Sequence, residues 1–466
     1  MNENPLDLLP ELLVLGGAVI GLLAGSFLPP GRRRAVAWIC GAALAGGTAA
    51  AVAAAARPGG TVFGAYALDP STHVARITVM LATLAVVVLA AGRARGHPRE
   101  AEAHVLLLLA ALGAVVLAAA DDLLVLVAAY LLASIPAYAL AGIAGDARGT
   151  EAALKYYLMG AFLGVLMLAG VTLLYGLAGS TAYPVLGGRL PAASGAAVAC
   201  GVVALLAGVL FKVGGVPAHF WVPDVAEGAP AVVAVFVTTV PKVGGFVALA
   251  RMAGEFLAAS PADWRLLAAL VAAATMTLGN LAAFFQDNVR RLLGYSTVSQ
   301  AGYLLLPVVA AGRGGLAEPA LLFYVAAYAV TNLGAFSVAV AVGRDSLDDH
   351  AGLARRAPGV AVALAVCLLG FVGTPPTAVF AGKVLAFTAA WDAGYAWLAV
   401  VAAVNTVASV FYYLRWIAPA FRPGEAAVRI RSRTAARVAC GAAALSVLLG
   451  VASGLLLPGL SRGTPP

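Results

Sequence analysis

The residues in this sequence best suited to chemistry are its four lysines, Lys155, Lys212, Lys242 and Lys383. Each falls inside an apolar run, whereas the 25 arginines fall almost entirely between such runs. A guanidinium cannot release its proton in a protein, while a desolvated ammonium can do so near neutrality. An ionisable group at membrane depth is costly and marks an ion or proton path. Lys212, in GVVALLAGVLFKVGGVP, and Lys242, in AVVAVFVTTVPKVGGFV, lie deepest, and Lys383 lies on a third run. Three amines on three runs suit a relay in which waters bridge groups that alternate between charged and neutral forms. Lys155 carries a second reading. It comes one turn into its run and four residues after Glu151, a spacing that suits a plain ion pair at a helix end.

His219 and Asp224 follow Lys212 closely and are placed to bond backbone groups there. His219 also titrates near working pH and so qualifies for the relay. A structural histidine accounts for it as well, and a lone histidine without a second ligand argues against a metal site. Asp121 and Asp122 stand at the edge of a run, where a solvated acidic cap is the ordinary role. Ser296, Thr297, Ser299, Gln300 and Asn332 either join helices through polar contacts or order water beside the path. Cys40, Cys200, Cys367 and Cys440 occur singly in apolar runs, which points to small core residues and not to zinc or an iron–sulfur cluster. No nucleotide loop, catalytic triad or haem attachment pattern is present. The net charge of +8 is spread over loops, which argues against a nucleic-acid partner.

The elements that must position these residues follow from composition. With 62% apolar and 11% charged residues among 466, the chain reads as an all-α polytopic membrane protein. About 20 apolar residues cross a bilayer as a helix. By that measure fourteen spans are expected, at 8–28, 35–56, 73–92, 103–120, 123–143, 152–178, 195–222, 229–253, 264–285, 292–311, 317–342, 359–387, 394–416 and 435–457. The first run follows Asp7 and Glu11 and not a basic leader, so a cleaved signal is not expected. Two spans are interrupted, the seventh at Gly214-Gly215-Val216-Pro217 and the twelfth at Gly373-Thr374-Pro375-Pro376. Proline removes a backbone donor, and irregular backbone at membrane depth must be buried in protein or line a wet cavity. A matched pair of such breaks points to an inverted repeat with its ion site at the breaks, although a simple kink is the other reading. The loops after odd-numbered spans carry eighteen arginines and the opposite loops with the tail carry six, which places both termini outside the cytoplasm.

Two motifs carry a family resemblance. The stretch from Lys212 through His219 and Asp224 to Pro230, with Asp287-Asn-Val-Arg-Arg-Leu-Leu-Gly-Tyr-Ser296-Thr-Val-Ser-Gln300-Ala-Gly-Tyr303, resembles the antiporter-like membrane subunits of respiratory complex I, the NADH-quinone oxidoreductases. Gly-Ala-Pro at 228–230 and Leu-Leu-Gly-Tyr-Ser at 292–296 resemble the subunit N branch over its L and M sisters. The likeness runs from the first span to the last.

The resemblance implies fourteen helices with two inverted five-helix repeats and broken helices 7 and 12. Helices one to three would occupy about 1–100, the first repeat 101–255, the second 260–420 and the last helix 430–466. It places Lys212 on broken helix seven, Lys242 as the bridging lysine of helix eight and Lys383 on broken helix twelve. It implies a proton-translocating subunit of an enzyme complex in a bacterial plasma membrane, surrounded by other antiporter-like and small membrane subunits. NADH, FMN, iron–sulfur clusters and quinone would belong to partner subunits, with no cofactor in this chain. One departure stands out. The family's helix-five glutamate, five residues before Pro136, is replaced by Leu131. A carboxylate there would favour a charged Lys212 and release the proton on moving away. Without it, Glu151 or Asp122 substitutes in space, or the chain is a structural member that conducts poorly. Tyr130, whose hydroxyl titrates near 10, is a poor stand-in. A cation/proton antiporter or membrane-bound hydrogenase subunit would share the same lysines and breaks.

Overall fold

The computed structural model describes residues 4–29, 32–93, 99–422 and 428–460. Arg95 and Arg462, two of the arginines used for orientation, lie outside the described residues. Helices α1 (Leu9–Phe27) and α2 (Arg34–Ala54) are followed by a small hairpin, β1 (Gly60–Val62) with β2 (Tyr66–Leu68). Then come α3 (Pro70–Arg93), α4 (Glu100–Ala119), α5 (Leu123–Ala141), α6 (Ala147–Ala178), the short α7 (Tyr183–Arg189) and α8 (Gly195–Val213). The second half of the chain holds α9 (Trp221–Gly228), α10 (Ala231–Met252), α11 (Trp264–Ala283), α12 (Val289–Val309), α13 (Ala317–Val342), one turn α14 (Leu353–Arg356), α15 (Pro358–Val372), α16 (Ala378–Asp392), α17 (Ala396–Phe421), α18 (Arg433–Val451) and α19 (Ser453–Leu460).

Among the described residues thirteen helices are long and apolar enough to cross a membrane. The pair α15 and α16 stands where the expected run 359–387 lies, as two halves in place of one span. The expected run 195–222 likewise divides, into α8 and the short α9. Both breaks end the preceding helix in the same way. Gly214 (φ 72°) and Gly373 (φ 92°) adopt the left-handed conformation that favours glycine. Gly214 N donates to Phe211 O and Gly215 N to Leu210 O; Gly373 N donates to Gly370 O and Thr374 N to Leu369 O. That is the two-bond helix-ending motif with a left-handed glycine after the cap.

The helices are not equivalent in environment. α10 is buried along its whole length and α12 and α13 nearly so, while α1, α2, α6 and α18 expose Ile20, Trp38, Phe162 and Leu448. A helix apolar all round belongs inside a bundle, and one with outward leucines and valines faces lipid or another subunit. Close approach at the centre depends on glycine. A Cβ on Gly244 of α10 would press into the Ala114 carbonyl of α4, and one on Gly113 into the Ala133 backbone of α5.

Charged residues gather at the two ends of the bundle. At one end Arg76 donates to both Glu11 oxygens (2.7 and 2.9 Å) and Tyr66 donates to the same carboxylate (2.6 Å), which ties α3 and the hairpin to α1. Arg251 closes a second pair on Asp69 at 2.6 and 3.0 Å. A cleft of about 850 Å³ here is lined by Arg57, Asp69, Asp121, Arg251, Glu255 and Leu460, so both ends of the described chain reach this face. At the opposite end Arg290 pairs with Asp345, Arg291 with Asp224 and Glu227, and Arg415 with Asp287.

Three expectations are corrected here. Asp121 is buried at 7% exposure and is not a solvated cap; only Asp122 caps, accepting from Leu124 N at 2.7 Å and Val125 N at 3.3 Å. Cys200 is exposed on α8 and is not a core residue, whereas Cys40 and Cys367 are buried. The extra residues of α6 and of the α10 end, which continues as a π turn over Ala253–Leu257, lie beyond the hydropathy windows because helices extend past the apolar slab.

Burial pushes the Asp121 carboxyl up to about 6, against the opposing pull of Arg251. Burial also raises Asp69, but the bonds from Arg251 outweigh it and hold that carboxyl below its usual range. A raised folded-state value costs stability as pH rises through the interval between the unfolded value and about 6. Asp121→Asn is therefore expected to raise the thermal midpoint at pH 8 and to leave it unchanged at pH 4, as read by melting of the detergent-solubilised protein at both pH values.

Candidate functional site

Lys212 occupies the last turn of α8, two residues before the left-handed Gly214, and is 1% exposed. Its Nζ donates to Ser134 Oγ of α5 at 2.5 Å and lies 4.9 Å from the Tyr130 ring centroid. The Ser134 hydroxyl donates in turn to the Tyr130 carbonyl at 2.6 Å, which leaves its lone pairs for the amine. Tyr130 spends its own hydroxyl on the Gly160 carbonyl at 2.9 Å, so it offers Lys212 a ring face.

Lys242 lies on the fully buried α10, just after Pro241, with no exposed area. Its Nζ donates to the Thr297 carbonyl of α12 at 2.8 Å, and the Tyr328 ring stands 5.9 Å away. The two amine stems run past glycines. A Cβ on Gly245 would sit 3.4 Å from Lys212 Cγ, and one on Gly214 would sit 3.4 Å from Lys242 Nζ and 2.8 Å from Val222 Cγ2.

Lys383, on the second turn of α16, reaches back across the break. Its Nζ donates to the Phe371 carbonyl at 2.8 Å, the Val372 carbonyl at 3.2 Å and Thr406 Oγ1 at 3.4 Å, over the Tyr303 ring at 4.0 Å. Phe371 and Val372 close α15, and the helix-ending bonds leave their carbonyls free for a cation. All three amines are thus held by neutral oxygens and aromatic faces. The one lysine in an ion pair among the described residues is Lys155.

Polar groups of α12 lie between Lys242 and Lys383. One turn along α12 from Thr297, Gln300 Nε2 donates to the Phe371 carbonyl at 3.1 Å, the same oxygen that receives Lys383. Tyr324 donates to Gln300 Oε1 at 2.9 Å. Beside these groups Ser296 bonds Tyr413 at 2.6 Å, and Ser299 and Tyr412 both donate to Asn280 Oδ1 at 2.9 Å. Asn332 Nδ2 donates to Thr238 and Thr239, while its Oδ1 is buried without a partner.

Lys155 stands apart. Its side chain is 48% exposed and bonds Glu151 at 2.8 Å and Asp224 at 3.0 Å, in a surface cluster with Arg291 and Glu227. His219 is buried against Phe220 with Nδ1 unpartnered, and Asp224 is taken by Lys155 and Arg291 and does not bond the break. The freed backbone is satisfied by other residues: Trp221 Nε1 donates to the Phe211 carbonyl at 3.0 Å and Val216 N to Thr275 Oγ1 at 3.0 Å. Neither proposed substitute for the missing glutamate meets Lys212. Glu151 is bound to Lys155, and Asp122 caps α5 and accepts from Thr181 at 2.6 Å. Leu131 is 44% exposed, while Ser134, one turn on, faces the amine. Sequence reading missed Ser134, Tyr303, Tyr328 and Thr406. The sole available signal was their polar or aromatic type within apolar helices.

The family model described as NADH:quinone oxidoreductase/Mrp antiporter, TM, matches residues 120–409. NADH-quinone oxidoreductase subunit N 1 of Streptomyces griseus is 53% identical over 463 residues, covering 99% of this chain and 98% of that protein. NADH-quinone oxidoreductase subunit N of a Mycobacterium species is 52% identical over 457 residues, covering 97% of each. Among solved structures, a chain of respiratory complex I from Thermus thermophilus superposes with a TM-score of 0.86 at 33% identity, over 98% of this chain and 100% of that one.

The break around Gly214 has a direct test. Gly214→Ala forces a side chain into the left-handed region, at about 1–2 kcal/mol, and crowds Val222 and the Lys242 amine. A fall of several degrees in the thermal midpoint of the solubilised protein is expected. Gly16→Ala, which meets nothing within 4 Å, serves as the control and should leave the midpoint unchanged or slightly raised.

Proposed function

This chain belongs to the NADH:quinone oxidoreductase/Mrp antiporter transmembrane family, in its NADH-quinone oxidoreductase subunit N branch, and we propose that Lys212, Lys242 and Lys383 carry protons across the membrane as a buried relay. The observation that carries this reading is the satisfaction of three buried amines by neutral acceptors alone. A carboxylate at each would favour the charged form for as long as it stayed in place, whereas hydroxyl and carbonyl acceptors hold a lysine in either state. The row from the Thr297 carbonyl through Gln300 to the Phe371 carbonyl supports passage between Lys242 and Lys383.

In this reading the chain is a membrane subunit of a multi-subunit NADH-quinone oxidoreductase. NADH, FMN, iron–sulfur clusters and quinone act in partner subunits, and the energy of quinone reduction arrives through contacts with neighbouring membrane subunits. The arginine-rich end carrying Arg148, Arg290, Arg291 and Arg344 faces the cytoplasm, and the end with the Asp69–Arg251 pair faces outward with both termini. Helices α4 to α10 and α11 to α17 form the two halves, each with its broken span fourth in order.

Leu131 favours a second reading, a subunit that supports the membrane arm and conducts poorly. Proton uptake into vesicles containing the reconstituted complex separates the two. Lys212→Ala and Lys383→Ala should each lower protons moved per electron while the subunit still inserts. Unchanged pumping in both variants removes these lysines from the mechanism. Leu131→Glu lies one turn from Ser134 and should raise coupling if Lys212 lacks a partner; unchanged or lower pumping shows that the position is already served.

A further inference from the structure

Away from the lysines, an apolar trench of about 180 Å³ runs between α8 and α11, bounded by Val203, Ala207, Leu210, Ala268 and Val271 and closed at its inner side by Pro217 of the break. Trp264, the first residue of α11, lines one end. Its ring is 3% exposed, yet Nε1 has no acceptor. Arg265 stacks its guanidinium 4.7 Å from that ring, donates Nη2 to the Ala311 carbonyl at 3.0 Å and keeps a buried Nε without a partner. Two residues beyond Ala311, Arg313 lies over Tyr395 at 5.8 Å and donates to the Ala393 carbonyl at 3.1 Å. Neither arginine joins an ion pair among the described residues. The neighbouring Asp263 accepts from Leu266 N at 3.2 Å as the cap of α11.

An apolar trench along membrane-spanning helices suits a hydrocarbon chain. The unused indole N–H of Trp264 at its end, with the Arg265 guanidinium and its unused Nε against that ring and Arg313 beyond, calls for acceptor oxygens carrying negative charge. We infer that this trench binds a glycerophospholipid, with one acyl chain lying against Pro217 and the headgroup phosphate between Trp264, Arg265 and Arg313. A neighbouring subunit's helix fits less well, because it would bring apolar surface without the anion that two unpaired guanidinium groups and an unused indole N–H require. The site stands whether or not the lysines conduct, since none of them contributes to it.

The intact complex, reconstituted in phosphatidylcholine vesicles with trace phosphatidylglycerol bearing a photoactivatable diazirine on one acyl chain, tests this. Mass spectrometry should find label on residues 203–210 or 264–271. Arg265→Gln with Arg313→Gln should cut that label about tenfold, as loss of two charge-assisted bonds predicts. Ala268→Phe, which fills the trench, should do the same, and excess inorganic phosphate should not compete. Absence of label there, label undiminished in both variants, displacement by phosphate alone, or cross-linking of the trench to a neighbouring subunit would overturn the assignment.

Discussion

Three amines inside a membrane must be satisfied without a counter-ion, and the rest of the structure is arranged around that requirement. An unpartnered ammonium in a low-dielectric interior costs several kcal/mol or more. Here the cost is offset by two hydroxyls, three carbonyls and three tyrosine faces. Cation–ring contacts of this kind contribute about 0.5–2 kcal/mol each. Such partners stabilise the charged form without a fixed negative charge.

The broken helices supply part of this solution. Every helix ends with orphan carbonyls, and at the edge of a membrane water satisfies them. At the two breaks the ends lie inside the protein. The left-handed glycines turn the chain and use two carbonyls in each motif, and the remainder fall to side chains. Behind Gly373 the remaining oxygens of Phe371 and Val372 receive Lys383. Behind Gly214 the Phe211 oxygen, which already accepts from Gly214 N, also receives Trp221, and the lysine of that helix turns instead to Ser134. The two halves thus share the same helix ending but differ in what the lysine bonds.

The ends of the bundle follow a different logic. Arginines there pair with carboxylates across helices far apart in sequence, as in Arg76 with Glu11, Arg251 with Asp69 and Arg291 with Asp224. Breaking one partner of a buried pair such as Arg76–Glu11 typically costs about 3–5 kcal/mol, whereas the part-exposed Arg291–Asp224 pair contributes less. Lys155 belongs with this group and not with the buried amines, as its paired, half-exposed side chain makes plain.

Hydropathy and the placement of glycine and proline determined the class of fold and the places where two runs break, because a bilayer demands long apolar runs and tolerates Gly-Pro interruptions only under special conditions; of the fourteen expected runs, thirteen appear among the described residues as single helices long and apolar enough to cross. The choice of lysine over arginine inside those runs marked Lys212, Lys242 and Lys383 before any coordinates. What each amine touches was not legible. Ser134, Thr297, Thr406 and the ring of Tyr303 come from helices remote in sequence, and a polar residue in an apolar helix has the same local signature whether it faces an amine or a neighbouring backbone. The burial of Asp121, the exposure of Cys200 and the separation of Lys155 from the other lysines were likewise decided by packing. Helix faces are assigned only when all the helices are assembled, since side-chain direction depends on which neighbour covers each face.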